Sequence, residues 1–304
     1  MHLTISGITV VDVIFPRVPR LPVWPRHTEF TADNLVLVPE APVITLGGNG
    51  ANAAYVAARC GTRVTLSTQL GRDAFGDLAR GWLDAAGCRV VTVGRAAATA
   101  VNVTAANVRH ERATLFYPGR ASGLLLRPAL ARREALLVCG WPHPPLPALA
   151  RRFREVARAG GLTALDTGPI LERPWTLVEM QPLWPHLRLL LTNEYELRAV
   201  ARTQNLPAAL RKVRAVYAGE LIVKRGADGV LRLPAGSVEP QMLPATRVKV
   251  VNTVGAGDAF NGALLAALCR GQPMGRALTI ANRVAASVVA SPLGVLGVKA
   301  GRMQ

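Results

Sequence analysis

The sequence predicts an α/β fold, with a mostly parallel sheet covered by helices on both faces and a small β excursion beside it. Three observations carry that expectation. Short apolar runs alternate with helix-period stretches along most of the 304 residues, which is the rhythm of βαβ units. Two segments, 15–45 and 99–117, break the rhythm. Two glycine-rich turns, "LGGNGANAAYVAARCG" at 46–61 and "TVGAGDAFNG" at 253–262, each open an alanine-rich helix.

Taken in order, 3–10 is an apolar, β-branched run and reads as a strand. Residues 50–59 read as a helix and 63–68 as a strand. Residues 74–86 are helical, with Leu78, Trp82 and Leu83 sharing a face. The runs 135–139, 162–165, 187–191 and 220–224 are almost wholly apolar, as in strands buried on both sides, and helices fit between them. The 15–45 segment is rich in proline and short of helical pattern. The 99–117 segment alternates apolar and polar residues like exposed antiparallel strands. Both are expected to leave the main sheet and pair as a flap. No fixed-period repeat or low-complexity linker divides the chain, so 1–304 reads as a single domain with excursions at about 15–45 and 99–117.

Half the residues are hydrophobic and only 5% aromatic, which predicts a sizeable aliphatic core. The four cysteines, Cys60, Cys88, Cys139 and Cys269, are scattered and form no C-x-x-C, so neither a zinc site nor a redox motif is expected. They read as reduced, buried thiols of a cytoplasmic enzyme. The N-terminus lacks a basic leader pattern and carries Asp12 within its apolar run, so it reads as a strand and not a signal peptide. No apolar stretch has the length of a membrane span. The net charge of +17 raises nucleic acid as a partner, but the basic residues are dispersed, as in the pairs Arg151 with Arg152 and Arg211 with Lys212. A diffuse basic surface on an enzyme is expected instead of a specific nucleic-acid interface, and it favours an anionic ligand such as a nucleotide.

Neither glycine turn is followed by the G-K-[ST] of a Walker A loop. The first contains Gly48-x-Gly50-x-x-Ala53, a weak dinucleotide fingerprint, with Asp73 near the distance of a ribose-binding acid. That reading prefers the motif directly after the first strand. The amides of Asn49 and Asn52 suit hydroxyl recognition, and helix capping by either is the competing role. The second turn is more specific. Three small residues, Gly255, Ala256 and Gly257, precede Asp258 and leave bare backbone N–H groups beside a carboxylate. Those are the parts for phosphoryl transfer: a base for an attacking hydroxyl and donors for developing negative charge. A first-turn acid that merely favours the helix dipole is the alternative.

The stretch "NTVGAGDAFNGALLAAL" resembles the C-terminal signature of the PfkB, or ribokinase-like, carbohydrate kinases, and "GGNGANAAYVAARCGTRVTLSTQLGRDAFGD" resembles their N-terminal signature. Weaker similarities lie in "GITVVD", "TNEYE", "LIVKRGADG" and "ANRVAASVVASPLG". The resemblance implies a three-layer α-β-α ribokinase-like fold with a β lid. It implies an ATP-dependent kinase acting on a hydroxyl of a small sugar or sugar-like substrate. By the same resemblance Asp258 is the base, and Gly255, Ala256 and Gly257 form the anion hole. Asp12, Gly48, Asn49 and Asn52 match the sugar-binding set. Asn193, Lys224, Gly226 and Asn282 fall on the nucleotide side, and Asn193 with Glu196 would organise Mg²⁺ through water. The family's lid closes over the sugar, and an exposed lid edge is compatible with a homodimer.

Competing roles stay open for several of these residues. Asp12 reads also as a strand-end turn residue, Asn193 with Glu196 as a capping box, and Lys224 as a surface residue. The chain also departs from the family. Asn252 stands where an aspartate is usual, and Val298 where some members place a serine, which leaves K⁺ dependence open. "ALDTGP" around Asp166 lacks an arginine that often follows. Trp141 stands where ribokinases proper have a ribose-contacting glutamate, to stack on a ring or to fill space. A nucleoside kinase of the same family and a catalytically silent sugar-binding protein remain the alternatives.

Overall fold

The computed structural model describes residues 1–21, 35–94, 98–107, 109, 111–119, 134–171, 173–299 and 301. Of the two excursions, the parts at 22–34, 108 and 110 lie outside the described residues. In chain order the elements are β1 (His2–Ser6), β2 (Val10–Val18), β3 (Val43–Gly47), α1 (Asn49–Arg59), β4 (Val64–Thr68), α2 (Ala74–Ala85), β5 (Cys88–Thr92), β6 (Ala100–Asn107), β7 (Arg112–Tyr117) and β8 (Glu134–Cys139). There follow α3 (Leu146–Arg158), β9 (Leu162–Asp166), β10 (Leu189–Asn193), α4 (Glu194–Val200), α5 (Leu206–Val216), β11 (Glu220–Lys224), β12 (Val230–Leu233), β13 (Gln241–Leu243), α6 (Ala256–Cys269) and α7 (Met274–Val289).

Nine strands form the main sheet in the order β13-β12-β11-β10-β9-β8-β1-β4-β5. The pairs from β11 through to β5 are parallel, and β12 and β13 add an antiparallel edge. Alternation along each strand divides the core between the two faces. In β8, Ala135, Leu137 and Cys139 pack with α1, α6 and α7, whereas Leu136 and Val138 pack with α3 and α5. Both faces are therefore covered, which is why these strands read as unbroken apolar runs. Helix α6 is buried over most of its length, and its small residues allow close approach: a Cβ on Gly262 would lie 2.2 Å from the Ala53 carbonyl oxygen of α1.

A second sheet has the order β3-β2-β6-β7, with β2 and β6 parallel and the outer pairs antiparallel. Here the structure corrects the expectation of one strand over 3–10. The chain leaves the main sheet after Ser6 and starts β2 at Val10, so Asp12 belongs to the second sheet. At the break Gly7 packs closely on the start of α1, where a Cβ would lie 2.6 Å from the Gly50 Cα. A second correction concerns α2, which buries Gly76, Ala79 and Leu83 and leaves Leu78 38% exposed. Its small residues make the close contact, Gly76 lying against the Gly71 carbonyl, and the bulkier Leu78 is turned outward. Arg152 is not part of the basic surface either. It is buried in an ion pair with Glu134.

All four cysteines are buried and hold no disulfide; burial pushes the Cys60 thiol up to about 11 and that of Cys88 to about 12. Among the described residues no helix is long and apolar enough to cross a membrane.

Candidate active site

Helix α6 is preceded by its N-cap Gly255, whose φ of 76° lies in the left-handed region that glycine adopts without strain. Among the described residues no side chain caps this helix; the Ala256 N–H donates to the Thr253 carbonyl at 3.4 Å, and Gly255, Gly257 and Asp258 line the cleft. Asp258 is the third residue of the helix. Its Oδ2 accepts a 3.0 Å hydrogen bond from the Asn52 Nδ2 of α1. Burial pushes the Asp258 carboxyl up to about 6; the Asn52 hydrogen bond and the Lys224 ammonium pull it down, while Asp166 and Asp12 push it further up. Such a carboxyl is ionised at neutral pH and still basic enough to take a proton.

Asp258 faces a cleft of about 560 Å³ that is also lined by Asp12, Gly48, Asn49, Asn52, Trp141, Asn193, Glu196, Lys224, Gly226, Gly255 and Gly257. Residues scattered through the chain thus converge on one space. Asp12 comes from β2 and accepts a 3.0 Å hydrogen bond from Asn102 of β6, its partner in register. Burial raises the Asp12 pKa, and the Asn102 bond opposes this. Asn49 does not cap α1, whose N-cap is Gly48. Its Oδ1 accepts from the Ile8 and Gly50 backbones at 3.1 and 2.7 Å, and its Nδ2 donates to the Trp141 carbonyl at 2.8 Å. Asn49 therefore ties three walls of the cleft together. Asn52 is not a cap either; it is buried, and its Oδ1 has no partner among the described residues. Trp141 is buried, with its indole N–H unpartnered and its ring tilted 51° against Phe116 at 5.8 Å.

A second cavity, of about 660 Å³, is lined by Lys224, Gly226, Ala256, Gly257 and Asn282, with Val230, Phe260, Ala285 and Val289 supplying apolar walls. The side chain of Asn282 donates to the Pro244 carbonyl at 2.7 Å and so holds one wall in place. Apolar walls of this kind fit a flat aromatic ring, and the glycines let a polyphosphate approach the backbone. Lys224 is no surface residue: its side chain is 14% exposed and its Nζ lies 3.0 Å from the Asp166 Oδ1.

Asn193 and Glu196 form a full capping box at the start of α4. The Glu196 Oε1 accepts from Asn193 Nδ2 at 2.6 Å, and its Oε2 from the Thr167 hydroxyl at 2.7 Å and the Asn193 N–H at 3.0 Å. Burial, then the nearby Asp166 charge, raises the Glu196 pKa. Among the described residues no group of three His, Cys, Asp or Glu is placed to hold a metal. This donor set fits a magnesium ion carried by phosphates and water, and it does not fit a cage of protein ligands. Asp73 is also committed: it caps α2 through the Gly76 N–H and holds Thr99 by its backbone and hydroxyl. Moreover, the first glycine turn follows β3 of the second sheet, so the dinucleotide reading fails.

The cleft lining also includes residues that the sequence reading did not assign to the site, Asn102 and Asp166 among them. The alternation in 99–117 placed Asn102 on one face of a strand, but only pairing with β2 shows which face. Asp166 ends a main-sheet strand, and its ion pair comes from a lysine 58 residues away.

The model of the pfkB family of carbohydrate kinases matches residues 21–298. A ribokinase of Bacillus subtilis is 38% identical over 106 residues, 35% of this chain and 34% of the relative. A 2-dehydro-3-deoxygalactonokinase of Haloferax volcanii is 30% identical over 154 residues, 46% of this chain and 48% of the relative. These matches thus span about a third to a half of the relatives' own lengths. Among solved structures, Arabidopsis thaliana ribokinase complexed with ribose and ATP superposes with a TM-score of 0.77 at 20% identity, covering 98% of this chain and 95% of that one; it shows a shared fold. Two signature turns, a nine-stranded α-β-α core and a family match across nearly the whole length agree: the chain belongs to the pfkB family of carbohydrate kinases.

Proposed function

We propose that residues 1–304 form one kinase domain that transfers the γ-phosphoryl group of ATP to a hydroxyl of a small sugar or sugar-like substrate. The observation that carries this reading is the position of Asp258. It stands in the cleft beside the open N-terminus of α6, and the adjoining Gly257 lines both that cleft and the apolar cavity. ATP occupies the second cavity, with its base near Asn282 and its phosphates toward Lys224 and Gly226. The acceptor occupies the cleft, held by Asp12 and Asn52 within walls fixed by Gly48, Asn49 and Trp141. Asp258 takes the proton from the acceptor hydroxyl as the oxygen attacks, and the N–H groups of Gly255, Ala256 and Gly257 receive the negative charge of the moving phosphoryl. Asn193 and Glu196 would hold Mg²⁺ through water, and the ion would supply neutralisation of phosphate charge. The β2-β3-β6-β7 sheet acts as a lid that excludes water.

The acceptor end favours an uncharged polyol. Among the described charged residues lining the cleft, Asp12 and Asp258 belong to the acceptor end, whereas Glu196 and the Asp166–Lys224 pair belong to the phosphate side. A sugar acid or sugar phosphate meets net repulsion there. Ile44 and Leu115, exposed on the second sheet, suit a homodimer through the lid, which sedimentation would reveal. The test of the reading is ADP release from ATP with a panel of neutral sugars, sugar acids, sugar phosphates and nucleosides. Turnover highest with neutral sugars supports it; turnover confined to nucleosides favours the nucleoside-kinase alternative; ligand binding without ADP release favours a silent binding protein.

A further inference from the structure

Lys224, Gly226 and Gly257 line both the acceptor cleft and the nucleotide cavity, so the two spaces meet at these residues. Lys224 is the only one of the three with a charge. Its Nζ donates to the Asp166 Oδ1 at 3.0 Å and to the Asn261 Oδ1 at 3.3 Å. Asp166 ends β9 and is buried, and Asn261 lies one turn beyond Asp258 on α6. A Cβ built on Gly257 would be 3.6 Å from the Nζ, so the ammonium lies directly beside the glycine turn. An ammonium carries three donors. Asp166 and Asn261 take two, and one remains for a ligand in the shared gap.

The surroundings also keep the amine charged. Burial by itself lowers the pKa of the amine. Asp166, then Glu196 and Asp258, outweigh that and hold the Lys224 pKa above its ordinary value. An ion pair serving only stability would not need to stand where two ligand cavities join.

We propose that Lys224 is a catalytic residue whose ammonium binds the terminal phosphoryl group as it crosses from nucleotide to acceptor, and that Asp166 is a positioning residue that holds the ammonium in the gap. The inference rests on the kinase reading above. In the transfer, the acceptor oxygen forms its bond to the γ-phosphorus while the bond from that phosphorus to the β–γ bridging oxygen breaks. The electron pair of the broken bond leaves with ADP, and the acceptor proton goes to Asp258. Lys224 stays protonated throughout and donates to a non-bridging oxygen of the moving group. Asp166 exchanges no proton and keeps the lysine from swinging toward either cavity.

The test compares the unmodified protein with Lys224→Met, Asp166→Asn and the double variant Lys224→Met/Asp166→Asn. The double variant removes both members of the buried ion pair, so neither Lys224 nor Asp166 is left without its direct partner. Calorimetry with MgATP and MgADP, without acceptor, reads the contact to the terminal phosphate. Loss of Lys224 should weaken ATP at least about tenfold, the size of one charge-assisted hydrogen bond, and leave ADP within about twofold. In steady-state assays with the best acceptor of the panel, kcat should fall by roughly 10²–10³ while the acceptor KM stays within about threefold. Asp166→Asn should lower kcat by roughly tenfold and reduce the preference for ATP over ADP, because the charge remains but is no longer held. Equal weakening of ATP and ADP would make Lys224 a general nucleotide contact and overturn the proposal, as would a kcat within about threefold of the unmodified protein. Failure of the kinase reading looks different: the unmodified protein would then release no ADP with any acceptor.

Discussion

Asn52 and Asp258 are 206 residues apart in the chain, yet the asparagine amide donates to the carboxylate at 3.0 Å. The contact exists because α1 and α6 pack closely, with Gly262 against the Ala53 carbonyl. It joins the two glycine-rich turns into one site. It also bears on the protonation of the proposed base, since a donor to a carboxylate favours its charged form.

Asp258→Asn keeps the side-chain shape and removes the base. Turnover should fall by roughly 10²–10⁴ while calorimetric ATP affinity stays unchanged. A variant that keeps more than about a hundredth of the original rate would assign proton removal to another group.

The pH profile follows from the Asp258 pKa of about 6. The base acts ionised, so kcat/KM should be flat above that value and decline as pH falls through it. Asn52→Ala removes a bond to the charged form, which raises the pKa and moves the acid limb to higher pH. The relative loss of rate is then greater at pH 6 than at pH 8. A limb that does not move would separate the Asn52 contact from the base.

Asp12→Ala, Asn52→Ala and Asn102→Ala should each weaken acceptor binding by roughly tenfold or more, with ATP binding nearly unchanged. Asp12 and Asn102 hydrogen-bond each other in the cleft, and neither lines the second cavity. Titration of each variant with the acceptor and with ATP measures both affinities. Equal losses for the two ligands would contradict the division of the site.

Asn252 accepts from the Val254 N–H at 3.0 Å, so the amide keeps the turn before α6 but brings no negative charge. A weakly bound cation gains little from an uncharged side chain. The rate should therefore change little when KCl is replaced by tetramethylammonium chloride at constant ionic strength, and Asn252→Asp should create a K⁺ requirement. Strong activation of the unmodified protein by millimolar K⁺ would show that backbone carbonyls suffice.

Arg152 and Glu134 pair beneath the main sheet, with side-chain exposures of 5% and 2%. Arg152→Met leaves a buried carboxylate without its partner and should cost about 3–5 kcal/mol in denaturant unfolding. Adding Glu134→Gln should recover part of that loss. An additive double variant would mean that the two charges do not interact.

The sequence by itself determined what depends on local chemistry. The glycine-rich turn before α6, the carboxylate after it and the apolar strand runs are all properties of short stretches, legible because glycine, spacing and hydrophobic period act within a few residues. The strand at 220–224 was readable to its last residue for this reason. Only the tertiary structure decided which distant groups meet. Asn102 faces Asp12 because β2 and β6 pair in one particular register, and a shift of one residue would turn it away. Asp166 meets Lys224 because β9 and β11 flank β10 and end at the same edge of the sheet. The outward turn of Leu78 and the close approach of Gly7 to Gly50 are likewise relations between elements. Register, crossover order and close packing are relations between segments, and no window of sequence contains both partners.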